Sequence, residues 1–395
     1  MVAQAGASSL PLGLPALGPH LRGEFGLSLA WLGVLLATPT VGYALTMFLW
    51  GALADRFGER PVLVGGLAGC TAMLMAASAA GSPVVLGVML VGAAALGACA
   101  PVASGRAVVG WFPVAERGRA LGLRHTAPMA GGAIGAAVLP AAAAVAGTGG
   151  AMVALACMAG VGAVASWGVP EPPGGDEAAP RGAVRGHPAG DRLVWLLAGG
   201  GALVIVGQAV LLRFQTSYLH DERGWSQAAA AAMLSATLLT AAAARVVAGM
   251  ISDRHGNRIA VLRGQALGAG ALLVGAGLLL GVPSVVAAIL LLGAAVLTMA
   301  GNGVAYAAVA EVAPDRTGAA LGLYATVLIV VVSVAPALFG LVAGDVPWTL
   351  AFAALGAFPA AGGLVLVRAD RLNRRRAARA APDRTGAAAA AGRAA

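Results

Sequence analysis

Apolar runs of about twenty residues, the length that crosses ~30 Å of hydrocarbon as a helix, recur along the whole chain from Val2 to Val367. A backbone in lipid must satisfy its own hydrogen bonds, so each run reads as a helix. A barrel would show alternating segments of about ten residues; these runs are continuous. The chain is 59% hydrophobic and 10% charged, whereas a soluble domain carries about 25% charged residues. The expectation is an all-α polytopic membrane protein. Twelve spans separate at the breaks: 2–18, 27–53, 61–80, 83–110, 121–146, 150–169, 192–219, 226–251, 259–281, 283–307, 319–343 and 347–367. Between the sixth and seventh lies PEPPGGDEAAPRGAVRGHPAG, residues 170–190, whose Pro, Gly and charge mark a linker. The expected domains are therefore bundles at 1–169 and 191–368, with an Arg/Ala-rich tail at 369–395 read as disordered. The first span contains Pro11 and Pro15, stops at Pro19-His20 and has no basic residue before it. It is a short helix, and a poor signal peptide.

Arginine sets the orientation. All 25 basic residues are Arg. Segments 54–60, 111–120, 170–192, 252–258, 308–318 and 369–395 hold seventeen of them, against Arg22 and Arg223 on the alternate side. The positive-inside rule makes the first set cytoplasmic, with both termini inside and the protein multi-pass in the plasma (inner) membrane. The +9 charge is thus a topological signal and implies no nucleic-acid partner. The partners implied are the lipid bilayer and a small-molecule solute, for a monomer. The Arg-rich tail reads as a topological stop, with contact to anionic lipid as the alternative. Cys70, Cys99 and Cys157 all lie inside apolar runs and form neither a disulfide frame nor a metal site.

The halves repeat. GALADRFGER begins at Gly51 and GMISDRHGNR at Gly249, 198 positions later. RALGLRHT at 119–126 returns as AALGLYAT at 319–326. Both charged units sit in cytoplasmic turns, after the second span of each half. Gly51 and Gly249 have no side chain, so another backbone can come close. Gly58 and Gly256 permit a tight turn. Arg56, Arg60, Arg254 and Arg258 hold the turns at the cytoplasmic side and can bind Glu116 or Glu311.

The repeated G-x-x-x-D-R-x-G-x-R turn, twelve spans and a central linker resemble the major facilitator superfamily (MFS) over the whole chain. The resemblance implies two pseudo-symmetric six-helix bundles, a repeat-built secondary transporter that works by alternating access. WFPVAERGRALGLRHTAPMAGGAIGAAVLP, 111–140, is similar to a cyanate-permease-like branch. By the same resemblance, Asp55 meets the start of span 11 near Gly318, and Asp253 the start of span 5 near Gly118. A carboxylate at a partly buried helix N-terminus contributes up to ~2 kcal/mol, which makes a latch closed in the outward-facing state. The competing reading is that these charges only fix topology.

Ionisable groups inside spans cost about 2.5–3.5 kcal/mol and are the first candidates for function. They are Arg106, Arg124, Arg213 and Arg245, weighed against snorkelling to the interface. No carboxylate lies deep in a span, so the cavity favours an anionic solute. Tyr43, Gln208, Asn302, Tyr306 and Tyr324 complete the candidate substrate site, or else form interhelical hydrogen bonds. His125 is the candidate for proton coupling, histidine being the side chain whose ordinary pKa lies nearest neutrality, against a plain interfacial histidine. A drug/proton antiporter is the alternative. Its family motifs are incomplete here: Val88 stands four residues before Gly92, and Ala127 precedes Pro128 and Gly131-Gly132. An enzyme is not supported. Five scattered His build no triad, His220-Asp221-Glu222 reads as a solvated turn, and no nucleotide-binding domain or cofactor is implied. A solute sensor without flux is the remaining rival.

Overall fold

The structure, a computed structural model, describes residues 1–111, 124, 126–169, 191–278, 284–313 and 317–380. Every regular element among them is helical. Ten helices are long and apolar enough to cross a membrane. One of them, Ala127–Ser166, leaves helical geometry at Ala146 (φ −140°) and Gly147 (φ 61°) and holds two crossings. The first crossing is pieced from Val2–Gly13, a 3-10 turn Leu14–Leu17, and Gly18–Phe25. With these two additions the crossings are the twelve expected.

They are numbered here α1 (2–25), α2 (Leu29–Phe57), α3 (Glu59–Ala77), α4 (83–111), α5 (127–145), α6 (148–166), α7 (Arg192–Asp221), α8 (Gln227–His255), α9 (Arg258–Leu278), α10 (Ser284–Val312), α11 (Thr317–Asp345) and α12 (Trp348–Ala380). Two ends differ from the sequence reading. α1 runs past Pro19 to Phe25, because a Pro in the first turn of a restarted helix needs no N–H partner. α12 continues to Ala380, beyond the expected end of the span at 367, so 369–380 is helix where disorder was expected. Ala and Arg are strong helix formers, and side-chain contacts pin this stretch. Asp370, 3% exposed, accepts from Asn257 Nδ2 (2.9 Å), Arg374 Nε (3.2 Å) and Arg263 Nη1 (3.4 Å). Asp191, at the start of α7, takes both terminal nitrogens of Arg376 at 2.8 and 3.2 Å. Asp370→Ala should therefore loosen the end of α12 by about 1–2 kcal/mol, the cations being partly solvated. Hydrogen exchange in 371–380 and at the 256–258 turn should quicken together.

Glycines set the helix spacing. A Cβ at Gly131 of α5 would overlap the Ala5 carbonyl, and one at Gly6 the Met158 carbonyl of α6. A Cβ at Gly162 would lie 3.2 Å from the Ala3 Cα. Thus the start of α1 lies beside both the beginning of α5 and the end of α6, as an antiparallel pair requires. At the other end, Glu24 caps α6: its Oε2 accepts from Thr148 N (3.2 Å) and Oγ1 (2.7 Å). The second half repeats this contact 200 residues on, where a Cβ at Gly362 of α12 would lie 2.8 Å from the Gly200 carbonyl oxygen of α7.

The halves join along two seams. A Cβ at Gly33 of α2 would sit 2.6 Å from the Pro336 carbonyl of α11, and Gly340 abuts the Leu29 carbonyl. α5 meets α8, where Ser235 Oγ donates to the Ala133 carbonyl at 2.9 Å. Arg22 at the end of α1 is bridged to Asp221 at the end of α7. These contacts place the start of α2 beside the end of α11, and the end of α1 beside the end of α7. The turns at Gly58 and Gly256 consequently share the opposite face, called here the basic face; the Arg22–Asp221 face is the far face.

Candidate functional site

The molecule is closed at the far face and opens toward the basic face. Every residue of α7 from Ala209 to Leu219 is buried, whereas most from Gly199 to Val204 are half-buried or exposed. α1 is likewise buried throughout 13–19. On α8, Leu234, Leu238 and Ala241 are buried with Ala16, Met129 and Ala133 of the other half. Arg245 follows on the same helix face, one turn nearer the basic face, and is half-buried. It therefore stands where the halves begin to part. α11 shows the same change: Pro336 and Gly340 are buried, Thr326 and Gly322 exposed.

Two helices are interrupted at matching places. α4 has a break at Ala98 and α10 at Gly301. Pro101 lacks the N–H that would bond the Gly97 carbonyl; in α10 the break falls on Gly301-Asn302. Broken helices in corresponding halves are a pointer to a transporter's binding site. Around the α10 break, Asn302 Nδ2 donates to Gln208 Oε1 of α7 at 3.2 Å. Arg245 Nε donates to the Met299 carbonyl at 3.2 Å. Tyr324 and Tyr306 meet edge to face with centroids 5.1 Å apart. Tyr324 is buried against Gly201, where a Cβ would lie 2.7 Å from its hydroxyl oxygen. A small cavity of about 30 Å³ lies between Gly201, Gln265, Thr298, Asn302 and Tyr324, room for about one water.

The structure thus brings Gln208, Arg245, Asn302, Tyr306 and Tyr324 together in the second half. Arg213 and Arg124 are held elsewhere. Arg213, 5% exposed, crosses to the first half, donating from Nη2 to Thr40 Oγ1 (2.7 Å) and from Nε to the Leu36 carbonyl (3.3 Å). Arg124 donates from Nε to Ser104 Oγ (3.0 Å) and from Nη2 to the Pro101 carbonyl; Ser104 in turn donates to Gln4 Oε1 at 2.8 Å. Tyr43 donates to the Ala7 carbonyl at 3.2 Å, an interhelical bond within one bundle. Among the described residues none of Arg124, Arg213 and Arg245 is in an ion pair. Sequence reasoning missed Gln4, Thr40, Ser104 and Gln265. Small polar residues in apolar spans carry no individual signal until their neighbours are known.

At the basic face, Gly58 and Gly256 take φ 80° and 62°, the positive values that the two turns need. Arg258 donates to Glu311 Oε1 (2.6 Å) and Asp253 Oδ1 (2.9 Å). Arg60 lies over the Trp167 ring and Arg56 over Phe57, while Arg254 lies in the last turn of α8. Among the described residues no backbone approaches Gly51 or Gly249: a Cβ at Gly51 would meet a Val102 methyl at 4.0 Å, and one at Gly249 nothing within 4 Å. The close approach expected at these two glycines is not made by any described residue. The side chains of Asp55 and Arg106, together with Gly118 and His125, lie outside the described residues, and of Gly318 only its place in the first turn of α11 is described. Among the described residues no cluster of His, Cys, Asp and Glu is arranged for a metal ion.

The Major Facilitator Superfamily model matches residues 12–301 and 197–393. An uncharacterized MFS-type transporter of Mycobacterium tuberculosis (strain CDC 1551 / Oshkosh) is 34% identical over 361 residues, 90% of this chain and 81% of that protein. A probable sulfoacetate transporter of Cupriavidus necator is 37% identical over 119 residues, 29% of this chain and 27% of its own. Among solved structures, a bacterial homolog of the human lysosomal transporter Spinster, inward-facing and occupied, superposes with a TM-score of 0.75 at 18% identity, covering 93% of each chain. A D-xylose–proton symporter gives 0.69 at 17%, over 92% of this chain and 95% of the other. At these identities the superpositions speak for the fold alone.

Proposed function

Because this chain belongs to the major facilitator superfamily, and is a transporter rather than an enzyme, we propose that its solute is a small organic anion carried in symport or exchange with protons. The observation that carries the reading is the company of the buried arginines. Among the described residues Arg213, Arg245 and Arg124 bond only to carbonyls and hydroxyls. A guanidinium inside a span costs about 2.5–3.5 kcal/mol, and a carboxylate or sulfonate is the counter-charge that offsets it. The partial likeness to a probable sulfoacetate transporter supports a doubly acidic two-carbon solute as the first to try.

The two bundles rock about a site between α1, α4, α7 and α10. The basic face is cytoplasmic, with both termini on that side of the plasma membrane, and the working unit is a monomer. In the reverse state Asp55 and Asp253 latch the basic face. In the present state Asp253 is held by Arg258 instead. The test is thermal stabilisation of the purified protein by sulfoacetate, other small carboxylates and sulfonates, and lipophilic cations. Stabilisation by anions alone is the expected result. Stabilisation by cations alone overturns the reading in favour of a drug/proton antiporter, and binding without flux in proteoliposomes makes the protein a sensor.

A further inference from the structure

On α7, about three turns of helix, Ala209 to Leu219, are buried throughout, yet the sequence there is polar: Arg213, Gln215, Thr216, Ser217. The Oγ1 of Thr216, the Oγ of Ser217 and the Oε1 of Gln215 are buried with no hydrogen-bond partner. Thr216 and Ser217 are 0% exposed. Native proteins leave few buried polar groups unmet, and each such group asks for a reason. Residues 213, 216 and 217 share one side of the helix. That side faces the other half: Arg213 reaches Leu36 and Thr40 of α2, and Ser217 Oγ lies 2.6 Å from where a Gly18 Cβ would be on α1. The reverse side, Phe214 and Tyr218, is fixed to its own bundle by Phe339, Trp348 and Phe352 at 5.0–6.1 Å between ring centroids. The polar row therefore moves with the second bundle and parts from the first when the far face opens. The Arg22–Asp221 bridge closes over it.

We propose that Arg213, Thr216 and Ser217 form an outer anion station, which takes the carboxylate or sulfonate group of a solute when the far face opens and is sealed in the state seen here. The proposal rests on the reading of the protein as an anion carrier. The chemistry is all of one sign: a guanidinium with five donors and two hydroxyls that can each donate. The only carboxylate nearby on α7, Asp221, is taken by Arg22. Parting the seam frees Arg213 from Leu36 and Thr40, and its donors can then turn to an oxyanion bidentately. Gly18, opposite Ser217, leaves a smooth wall that separates without dragging a side chain.

The test needs no knowledge of the solute. In a background with Cys70, Cys99 and Cys157 replaced by alanine, Ser217→Cys and, separately, Thr216→Cys are exposed to membrane-impermeant methanethiosulfonates. One reagent carries an ethylsulfonate and the other an ethyltrimethylammonium, applied to sealed vesicles of both orientations. Asp221→Asn should speed labelling from the far face on the order of ten-fold by weakening the bridge. The sulfonate reagent should react about ten-fold faster than the cationic one, relative to their ratio on a free thiol, through the local field of Arg213. Arg213→Gln should erase that preference. No labelling of either variant in the Asp221→Asn background overturns the station, as does an unchanged charge ratio. If the preference is found but no small anion stabilises the protein, the field of Arg213 at the row is established and the anion-carrier reading, on which the station's role rests, is what fails. If sulfoacetate binds while both thiols stay unreactive, only the station falls.

Discussion

Arg245→Ala is expected to abolish uptake of sulfoacetate, or of whichever small anion best stabilises the wild-type protein, while the protein reaches the membrane in normal amount. Arg245 stands one turn beyond the last buried contact between the halves, next to the broken segment of α10. Among the described residues its one hydrogen bond is to the Met299 carbonyl, at 3.2 Å. Its donors are otherwise free for an oxyanion at the apex of the opening. Truncating one partner of a desolvated charge pair costs about 2–5 kcal/mol, at least about thirty-fold in affinity at 1.4 kcal/mol per tenfold. Arg245→Lys keeps the charge but loses the planar fork, and should fall between. Radiolabelled uptake in proteoliposomes, read beside thermal stabilisation, checks both. Wild-type flux in Arg245→Ala removes this residue from the site.

The largest effect on folding is expected at Gly131. A Cβ there would overlap the Ala5 carbonyl oxygen, which is backbone inside a helix and has nowhere to retreat. Overpacking of a filled core costs about 1–3 kcal/mol, and Gly131→Val pushes two helix backbones apart rather than one side chain. The first bundle should lose most of its folded population in detergent, with a melting temperature far below wild type. Gly275→Ala is the control, since a Cβ at Gly275 meets nothing within 4 Å. That variant should melt at or slightly above the wild type, alanine being about 0.5–1 kcal/mol better than glycine within a helix. Equal melting temperatures for Gly131→Val and wild type would mean that α1 does not lie between α5 and α6 as described.

Much of the fold was legible because the bilayer permits so few solutions. Spans are announced by length, and the halves announce themselves through GALADRFGER and GMISDRHGNR. Helix ends were less legible. Pro19 reads as a stop, yet it opens a new helical segment to Phe25. The Arg-rich stretch after 368 reads as a loose tail, yet Asp370 and Asp191 hold it as helix. Both outcomes depend on partners far away in the chain. The candidate site was legible as a set of residue types, but its grouping was not. Tyr43 serves its own bundle. Arg213 and Arg245 sit on neighbouring helices at different depths, one sealed between the halves and one beside their opening. Periodicity places a residue on a helix face; it does not say what that face meets.

The sequence by itself determined that this chain is a helical membrane protein built twice over, since hydrophobic length, arginine bias and an internal repeat are local or additive signals. Only the tertiary structure decided that the halves meet at the far face, that α7 buries unmet hydroxyls beside Arg213, and that among the described residues no other backbone comes within reach of Gly51 or Gly249. Those facts depend on how two nearly equivalent bundles lean against each other. Both inclinations place the same apolar spans in the same lipid, so composition is indifferent between them. The balance rests on a few cross-bundle contacts such as Gly33–Pro336 and Arg22–Asp221.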